Sequence, residues 1–161
     1  MLRLIAICAA FCVATAGALQ GQTNVNLGVI TVDTAAAIEV TADSLSVDQA
    51  SGKAVVDGNV IIGQGDLRLT AGQVEVIYGT DTSQIARLIA TEGVTFVTAQ
   101  EAAEAQEADY DVTTGLLILT GGVLLTQGPS AISADQMTIN VTDGTAAMDG
   151  RVRTILQQGD N

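Results

Sequence analysis

The strongest constraint on this chain is an internal repeat. When Ala42 is laid on Ala105, an offset of 63 residues (105 − 42), the register holds without a gap as far as Gln73 and Gln136. Turn glycines and apolar positions coincide along this stretch, which indicates two copies of one structural unit. The matched pairs include Asp48 with Asp111, Gly52 with Gly115, Gly58 with Gly121, and Val60 with Val123.

Each copy divides again into two similar pieces. Four openings begin with alanine, at residues 42–47, 71–76, 105–110 and 134–139. Each opening is followed by a glycine and then a valine. These endings are Gly58-Asn59-Val60, Gly93-Val94, Gly121-Gly122-Val123 and Gly150-Arg151-Val152. The chain therefore reads as four strand–turn–strand modules.

Apolar residues alternate with polar ones inside each module, which is the pattern of half-buried strands. Turn signals separate the strands at residues 49–52, 79–81, 113–115 and 143–144. Gly63-Gln64-Gly65-Asp66 also reads as a hairpin turn, because no lysine and no helix start follow it as in a phosphate loop. The pattern predicts an all-β protein.

The alternation changes parity at each opening. Ile38, Val40 and Ala42 share one parity, whereas Leu45 and Val47 have the other, and the switch recurs after Ala71 and Ala134. A strand that changes parity without a full turn must bend or bulge. Bends at corresponding points of neighbouring strands predict a ribbon folded into a trough or flattened roll, with its apolar face inside.

One segment favours a helix by composition. Residues 99–107 are rich in alanine, glutamate and glutamine, which have high helix propensity. The repeat register nevertheless requires a strand from Ala105 onward, so we expect a hairpin loop at residues 98–104.

The N-terminus has the pattern of an export signal. Arg3 precedes an uncharged apolar run at residues 4–13, and both Ala14-Thr15-Ala16 and Ala16-Gly17-Ala18 fit a signal-peptidase site. A membrane anchor is the alternative, but the run is shorter than the about 20 residues that a spanning helix needs. We expect a cleaved signal peptide at 1–18, a flexible segment at 19–33, the β domain at 34–156 and a flexible tail at 157–161.

The composition argues against an enzyme. The chain has no histidine, and its two cysteines, Cys8 and Cys12, lie inside the predicted signal. Histidine-based nucleophilic designs and thiolate metal sites are therefore missing, and we expect no cofactor and no metal. A catalytic carboxylate pair remains open, but Asp48 and Asp111 stand at equivalent turn positions, where aspartate is common.

The net charge of −12 disfavours binding to nucleic acid or to anionic membranes.

The repeat motifs resemble a known family. Residues 38–48 (IEVTADSLSVD), 58–65 (GNVIIGQG) and 69–71 (LTA) are similar to the OstA-like domain of the LptA family, from about residue 32 to residue 155. The resemblance implies an antiparallel repeat β-jellyroll that is exported to the periplasm and has no catalytic residues. It further implies a bridge of molecules stacked head to tail between an LptC-like inner-membrane protein and an LptD-like outer-membrane protein. A cleavable signal before a single domain is the arrangement expected of an LptA-like protein.

Along such a bridge lipopolysaccharide would move in a continuous apolar groove, held by the acyl chains of its lipid A. About 0.8 kcal/mol per buried methylene makes acyl chains a sufficient source of affinity. An alternative is a structural β-repeat scaffold or adhesin segment with a filled interior, and a lipid-modifying enzyme is a third possibility. The predicted groove residues are Ile38, Val40, Leu45, Val47, Val60, Ile62, Leu69, Val74, Val76, Val94, Phe96, Tyr110, Leu119, Val123, Leu125, Ile132, Met137, Ile139, Met148 and Val152.

The ends of the sheet should remain open for pairing. The first strand, expected at residues 38–45, and the last, at 150–155, contain no proline to block an edge. Contact between these unlike edges would extend a filament instead of closing a dimer.

Overall fold

A computed structural model of the protein describes residues 23–24, 35–80 and 84–155. The predicted signal peptide and tail lie outside the described residues, as does nearly all of the predicted segment 19–33. The described part contains β-strands and no helix, and every strand pair is antiparallel, as expected. The strands are β1 (Thr23–Asn24), β2 (Glu39–Thr41), β3 (Ser44–Asp48), β4 (Lys53–Gln64), β5 (Leu67–Tyr78), β6 (Ile85–Thr91), β7 (Val94–Val97), β8 (Glu101–Ala105), β9 (Glu107–Asp111), β10 (Leu116–Gln127), β11 (Ser130–Asn140), β12 (Thr145–Asp149) and β13 (Arg153–Ile155).

These strands form one meander of bent strands. Strands β4, β5, β10 and β11 cross the whole sheet without a break. At the other positions, two consecutive strands lie end to end and together cross the sheet. These consecutive strands are β2 with β3, β6 with β7, β8 with β9, and β12 with β13. Strands β4 and β10 begin at Lys53 and Leu116, again 63 residues apart (116 − 53), which confirms the repeat.

The bends lie along a single line. Asp57 pairs with Gln73 and Val60 pairs with Ala71, so Gly58 and Asn59 together face Gly72 alone. Both corner residues have positive φ, 80° at Gly58 and 47° at Asn59, and such a two-against-one bulge turns the strand sharply. The structure therefore confirms the bend inferred from the parity switch.

Four such corners recur, each with positive φ at both residues. They are formed by Gly58 with Asn59, Glu92 with Gly93, Gly121 with Gly122, and Gly150 with Arg151. The single residues that face them on neighbouring strands are Asp43, Gly72, Gln106 and Asp135. We call these corners and facing residues together the crease.

The crease divides the sheet into two arms. Arm A contains β2, β7, β8 and β13 with the adjoining halves of the long strands; arm B contains β3, β6, β9 and β12 with the other halves, and β1 pairs with β12. The inner faces of both arms contribute to one hydrophobic core, in which Phe96 of arm A and Leu119 and Met137 of arm B are fully buried. The protein is thus a flattened roll with an aliphatic interior.

Three expectations about strand limits were wrong. The first strand, expected at 38–45, is divided into β2 and β3, because the chain bends at Ala42 and Asp43 opposite the first corner. The segment expected as a loop at 98–104 is a turn followed by β8 from Glu101, because pairing with β7 and β10 outweighs helix propensity. The last strand, expected at 150–155, begins only at Arg153, since Gly150 and Arg151 form the fourth corner.

The turns have the predicted chemistry. One carboxylate oxygen of Asp48 accepts a hydrogen bond from the Ala50 amide (2.9 Å), and the other accepts one from the Ser51 hydroxyl (2.8 Å). Asp111, its repeat equivalent, accepts from the Thr114 amide at 2.9 Å. These bonds lower the pKa of both carboxyl groups, chiefly through Ser51 for Asp48 and through the Thr114 amide for Asp111. Both residues serve as turn formers.

Candidate functional site

Most of the predicted groove residues lie on the inner faces of the arms and are buried. They pack against one another across the roll, so the middle of the molecule is filled by its own side chains. The buried members are Val60, Ile62, Leu69, Val74, Val76, Val94, Phe96, Tyr110, Leu119, Val123, Leu125, Ile132, Met137, Ile139 and Met148.

The interior is uncovered at the N-terminal end of the roll. Leu45 pairs with the buried Val56, and Val47 pairs with the buried Ala54, so both face inward. They are nevertheless 65% and 58% exposed, and the inward-facing Val40 is 38% exposed. Strands β2 and β3 form the edge of the sheet, and no further strand of the described chain covers their apolar face.

A pocket of about 390 Å³ opens at this end, between β3 and the inner faces of β4 and β5. Its walls combine predicted groove residues with apolar residues that the prediction omitted. Alternation along β4 and β5 could have identified two of these, Val56 and Tyr78, because they share the inward parity of Ala54 and Val76. The lining consists of Val40, Ala42, Asp43, Ser44, Leu45, Ala54, Val56, Val76, Tyr78 and Ile85.

The C-terminal end is also incompletely covered. Val152 lies between the corner and β13, at the register position opposite the buried Ala134, and is 40% exposed. Beside it, a hollow of about 370 Å³ is lined in part by Val123, Arg151 and Arg153. The Arg151 guanidinium contacts the Asp135 carboxylate at 2.6 Å.

Polar side chains close the roll where the tips of the two arms meet. The Tyr110 hydroxyl of arm B donates to Gln64 Oε1 of arm A at 3.4 Å, and Gln64 Nε2 donates to the carbonyl of Ala36. Nearby on arm A, the buried Glu101 accepts hydrogen bonds from Gln127 Nε2 (2.9 Å) and from the Thr98 hydroxyl (3.2 Å). Burial raises the pKa of Glu101 above its ordinary value, against the opposing effect of these two bonds.

The cations of the described residues stand away from the interior. Lys53, Arg87 and Arg68 are each adjacent in sequence to a buried inward-facing residue, so their side chains belong to the outer faces. Lys53 pairs with Glu75 at 2.9 Å, and Arg87 pairs with Asp109. Arg153 pairs with Ser133, an outward neighbour of the buried Ile132, and Arg151 lies at a corner against Asp135. The inner faces of the described strands therefore suit apolar groups and offer no cation to a phosphate.

Other classes of site find no support within residues 23–24, 35–80 and 84–155. No group of three or more histidine, cysteine, aspartate or glutamate side chains there is placed to hold a metal ion. The same ranges contain no helix long and apolar enough to cross a membrane.

Comparison with known proteins identifies a matching family and a similar solved structure. A family model described as LptA/(LptD N-terminal domain) LPS transport protein matches residues 39–145. The crystal structure of LptH from Pseudomonas aeruginosa, described as the LptA homologous periplasmic component of the conserved lipopolysaccharide transport device, has the same fold. It is 17% identical with a TM-score of 0.71, over 79% of this chain and 99% of that one. No curated protein sequence matches the chain.

Proposed function

The chain belongs to the LptA/LptD N-terminal-domain family of lipopolysaccharide transport proteins, and we propose that it carries lipopolysaccharide by holding the acyl chains of lipid A between its two arms. A transport role needs no catalytic group, which fits the aliphatic interior described above.

The uncovered apolar face at the N-terminal end is the observation that carries this proposal. Leu45, which lines the pocket, and Val47 on the same strand face inward yet remain exposed, a costly arrangement unless an apolar ligand or a partner covers them. Covering ten methylenes there would contribute about 8 kcal/mol of transfer free energy, before the entropic cost of binding. The phosphates of lipid A would stay outside, because the inner faces of the described strands carry no cation.

Acyl chains reach the middle of the roll only if the arms separate. The Tyr110–Gln64 contact at the tips is one long hydrogen bond of 3.4 Å between neutral groups, and such bonds contribute about 0.5–1.5 kcal/mol net. The main cost of separation is exposure of the inner faces, which incoming acyl chains would cover again. Acyl chains that enter from the open N-terminal end would therefore need little separation of the arms in advance.

The proposed carrier works in the periplasm, between an LptC-like protein of the inner membrane and an LptD-like protein of the outer membrane. Head-to-tail association would join the interiors of successive molecules. The edges support this part of the proposal: β2 and β3 border the sheet at one end, and β13 borders arm A at the other.

The second candidate function is a structural β-repeat scaffold without lipid. The filled middle of the roll favours it, because a scaffold needs only self-packing strands. The two functions differ in what the inward-facing residues contact in the cell.

Photo-crosslinking in living cells would separate them. A photoreactive residue at Leu45 or Val47, or at Val60 or Val123, should crosslink to lipopolysaccharide. The outward neighbours Ser46, Ile61 and Leu124 on the same strands are the matched controls and should not. Crosslinks that are absent at all inward positions, or equal on both faces, would refute carriage between the arms.

A further inference from the structure

The crease is incomplete at both edges of the sheet that residues 35–80 and 84–155 form. Corners inside the chain have a single facing residue on each side; the corner of Gly58 and Asn59, for example, lies between Asp43 and Gly72. The last corner, Gly150 with Arg151, has Asp135 on one side and no crease residue on the other within the described chain. Asp43 is the first facing residue that the structure describes, and among those residues it has a corner on one side only.

Side-chain pairs across the crease show the same gap. The valine after each corner pairs with the alanine that opens the next module: Val60 with Ala71, Val94 with Ala105, and Val123 with Ala134. Val152 is the fourth such valine, and no alanine pairs with it on its outer side within the residues that the structure describes. Ala42 is the first such alanine of those residues, and no corner valine pairs with it on its outer side there. The two edges of the described sheet thus lack complementary halves of the same pair.

Strand direction permits the two ends to meet. The chain runs from arm B to arm A through β12 and β13, and from arm A to arm B through β2 and β3. Placing β2 and β3 of a second copy beside β12 and β13 therefore continues the antiparallel alternation found throughout the sheet.

Charge at the crease is complementary as well. The Arg151 side chain is 87% exposed even though it contacts Asp135, and Arg153 lies beside it in the C-terminal hollow. At the other end Asp43 is exposed, with Asp48 and Glu39 on the same edge strands. Asp135 and Asp149 offset the charge of the two arginines, so the complementarity is local. The exposed Arg151 guanidinium at one end suits the Asp43 carboxylate at the other end of a second copy.

We propose that the crease is the docking element of the head-to-tail contact: Asp43 of one copy lies on the corner of Gly150 and Arg151 of another. This inference rests on the self-association in the proposed function. The Arg151 amide donates to the Asp43 carbonyl, as the Gly93 amide donates to the Gln106 carbonyl within the chain. The Asp43 carboxylate contacts the Arg151 guanidinium, and Ala42 lies opposite Val152.

This register makes β1 a competitor of assembly. In the single molecule Thr23 and Asn24 pair with Met148 and Ala147 on the edge of β12 that faces away from β11. An incoming β3 would occupy that same edge, because β3 directly follows β2 in the bent strand. Strand β1 therefore leaves β12 when two copies join.

Charge reversal tests the contact with the full chain. Asp43→Lys and Arg151→Glu should each weaken self-association at least about tenfold, since each places like charges at the crease. Mixing the two variant proteins should restore association, because the lysine introduced in one variant then meets the glutamate introduced in the other. Association is measured by light scattering over a concentration series at fixed ionic strength.

Matched controls come from the outer face of arm B. Asp109→Lys and Arg87→Glu break a comparable ion pair and make the same changes in charge, away from both edges. They should leave self-association unchanged, and circular dichroism verifies that all four variants fold. If the unaltered protein associates but the crease variants behave like the controls, or mixing fails to restore association, this register is wrong while head-to-tail contact stands. A protein that never self-associates would overturn both, whereas lipid crosslinking would still test carriage independently.

Discussion

Val60 and Val123 occupy equivalent positions in the two halves of the chain, directly after a corner, and each is 1% exposed. A carboxylate at either position would be buried without a partner. We expect Val60→Asp and Val123→Asp each to lower the free energy of unfolding by about 3–5 kcal/mol and to abolish crosslinking of lipopolysaccharide.

The outward neighbour Ile61, which is 41% exposed, supplies the control. Ile61→Asp should change the free energy of unfolding by less than about 0.5 kcal/mol. Urea unfolding followed by circular dichroism measures both effects. Equal losses at Val60 and Ile61 would contradict the assignment of the inner face.

Glu101 gives the protein a pH dependence at the arm tip. Its folded-state pKa lies above the ordinary value of 4.5, mainly because of burial, so folding favours the protonated form. Its contribution is therefore most favourable below pH 4.5 and declines as the pH rises through the folded-state pKa. Glu101→Gln removes the buried charge; its amide oxygen can still accept from Gln127 Nε2, and its amide nitrogen can donate to the Thr98 hydroxyl oxygen.

We expect this variant to be more stable than the unaltered protein at pH 7, with the difference vanishing below about pH 4. Thermal unfolding across that pH range is the measurement. Glu104→Gln, an exposed residue of the same strand, should show no such difference. A Glu101→Gln variant that is less stable at pH 7 would mean that the hydrogen bonds outweigh desolvation.

The corners can be tested by comparing two adjacent glycines. Gly121 and Gly122 both have positive φ, 87° and 79°. A Cβ at Gly121 would lie 2.6 Å from the Gln106 Cβ, whereas one at Gly122 would have nothing within 4 Å. Gly122→Ala should lower the free energy of unfolding by about 1–2 kcal/mol, because of the left-handed backbone alone. Gly121→Ala should lower it clearly more, because its Cβ would also meet Gln106.

Chemical denaturation of both variants checks this order. If the two substitutions cost the same, contact between corner and facing residue does not hold the strands at the crease. The same contact is the one that the proposed junction reproduces between two copies.

The pairing of β1 with β12 can be weakened by a single substitution. Asn24→Pro removes an amide from its pairing with β12, so β1 should release that edge. We expect faster amide exchange in residues 145–149 of the dilute monomer and stronger self-association at a given concentration.

Ala99→Pro, in the exposed turn between β7 and β8, is the control for proline itself. It should alter neither readout. If residues 145–149 already exchange as fast in the unaltered protein, β1 does not occupy the edge of β12.

Lipid uptake should change the shape of the whole molecule. Spin labels at Asp66→Cys in arm A and Thr113→Cys in arm B report the separation of the two tips, with Cys8 and Cys12 replaced by serine. We expect the separation to increase by roughly 5 Å on addition of lipopolysaccharide, about half the usual 10 Å spacing of packed sheets.

A label pair within arm A, Asp66→Cys with Pro129→Cys, should keep its distance under the same conditions. An unchanged distance between the arms, together with positive crosslinks at Val60, would show that acyl chains enter without separation of the tips.

The sequence by itself determined the fold class, the repeat and the inner face. Side chains alternate with a period of two, so the parity of Leu45, Val74 or Met137 identifies its face without knowledge of the sheet. The parity switch likewise indicated the bend. Opposite each corner, the strand with the single facing residue changes parity, as from Ala71 to Val74, whereas the bulged strand keeps its parity, as from Val56 to Val60.

Only the tertiary structure decided which inward-facing residues are covered. Leu45 and Val47 have the pattern of Val74 and Val76, yet the first pair is exposed and the second buried. The burial of an inward-facing side chain depends on how many strands flank its own strand and on which side chains of the opposite arm pack against it. The same holds for residues 101–105, where pairing on both edges made a strand of a helix-favouring sequence, and for β1, whose partner is more than a hundred residues away. Such long-range pairings leave no local pattern, so they became visible only in the folded chain.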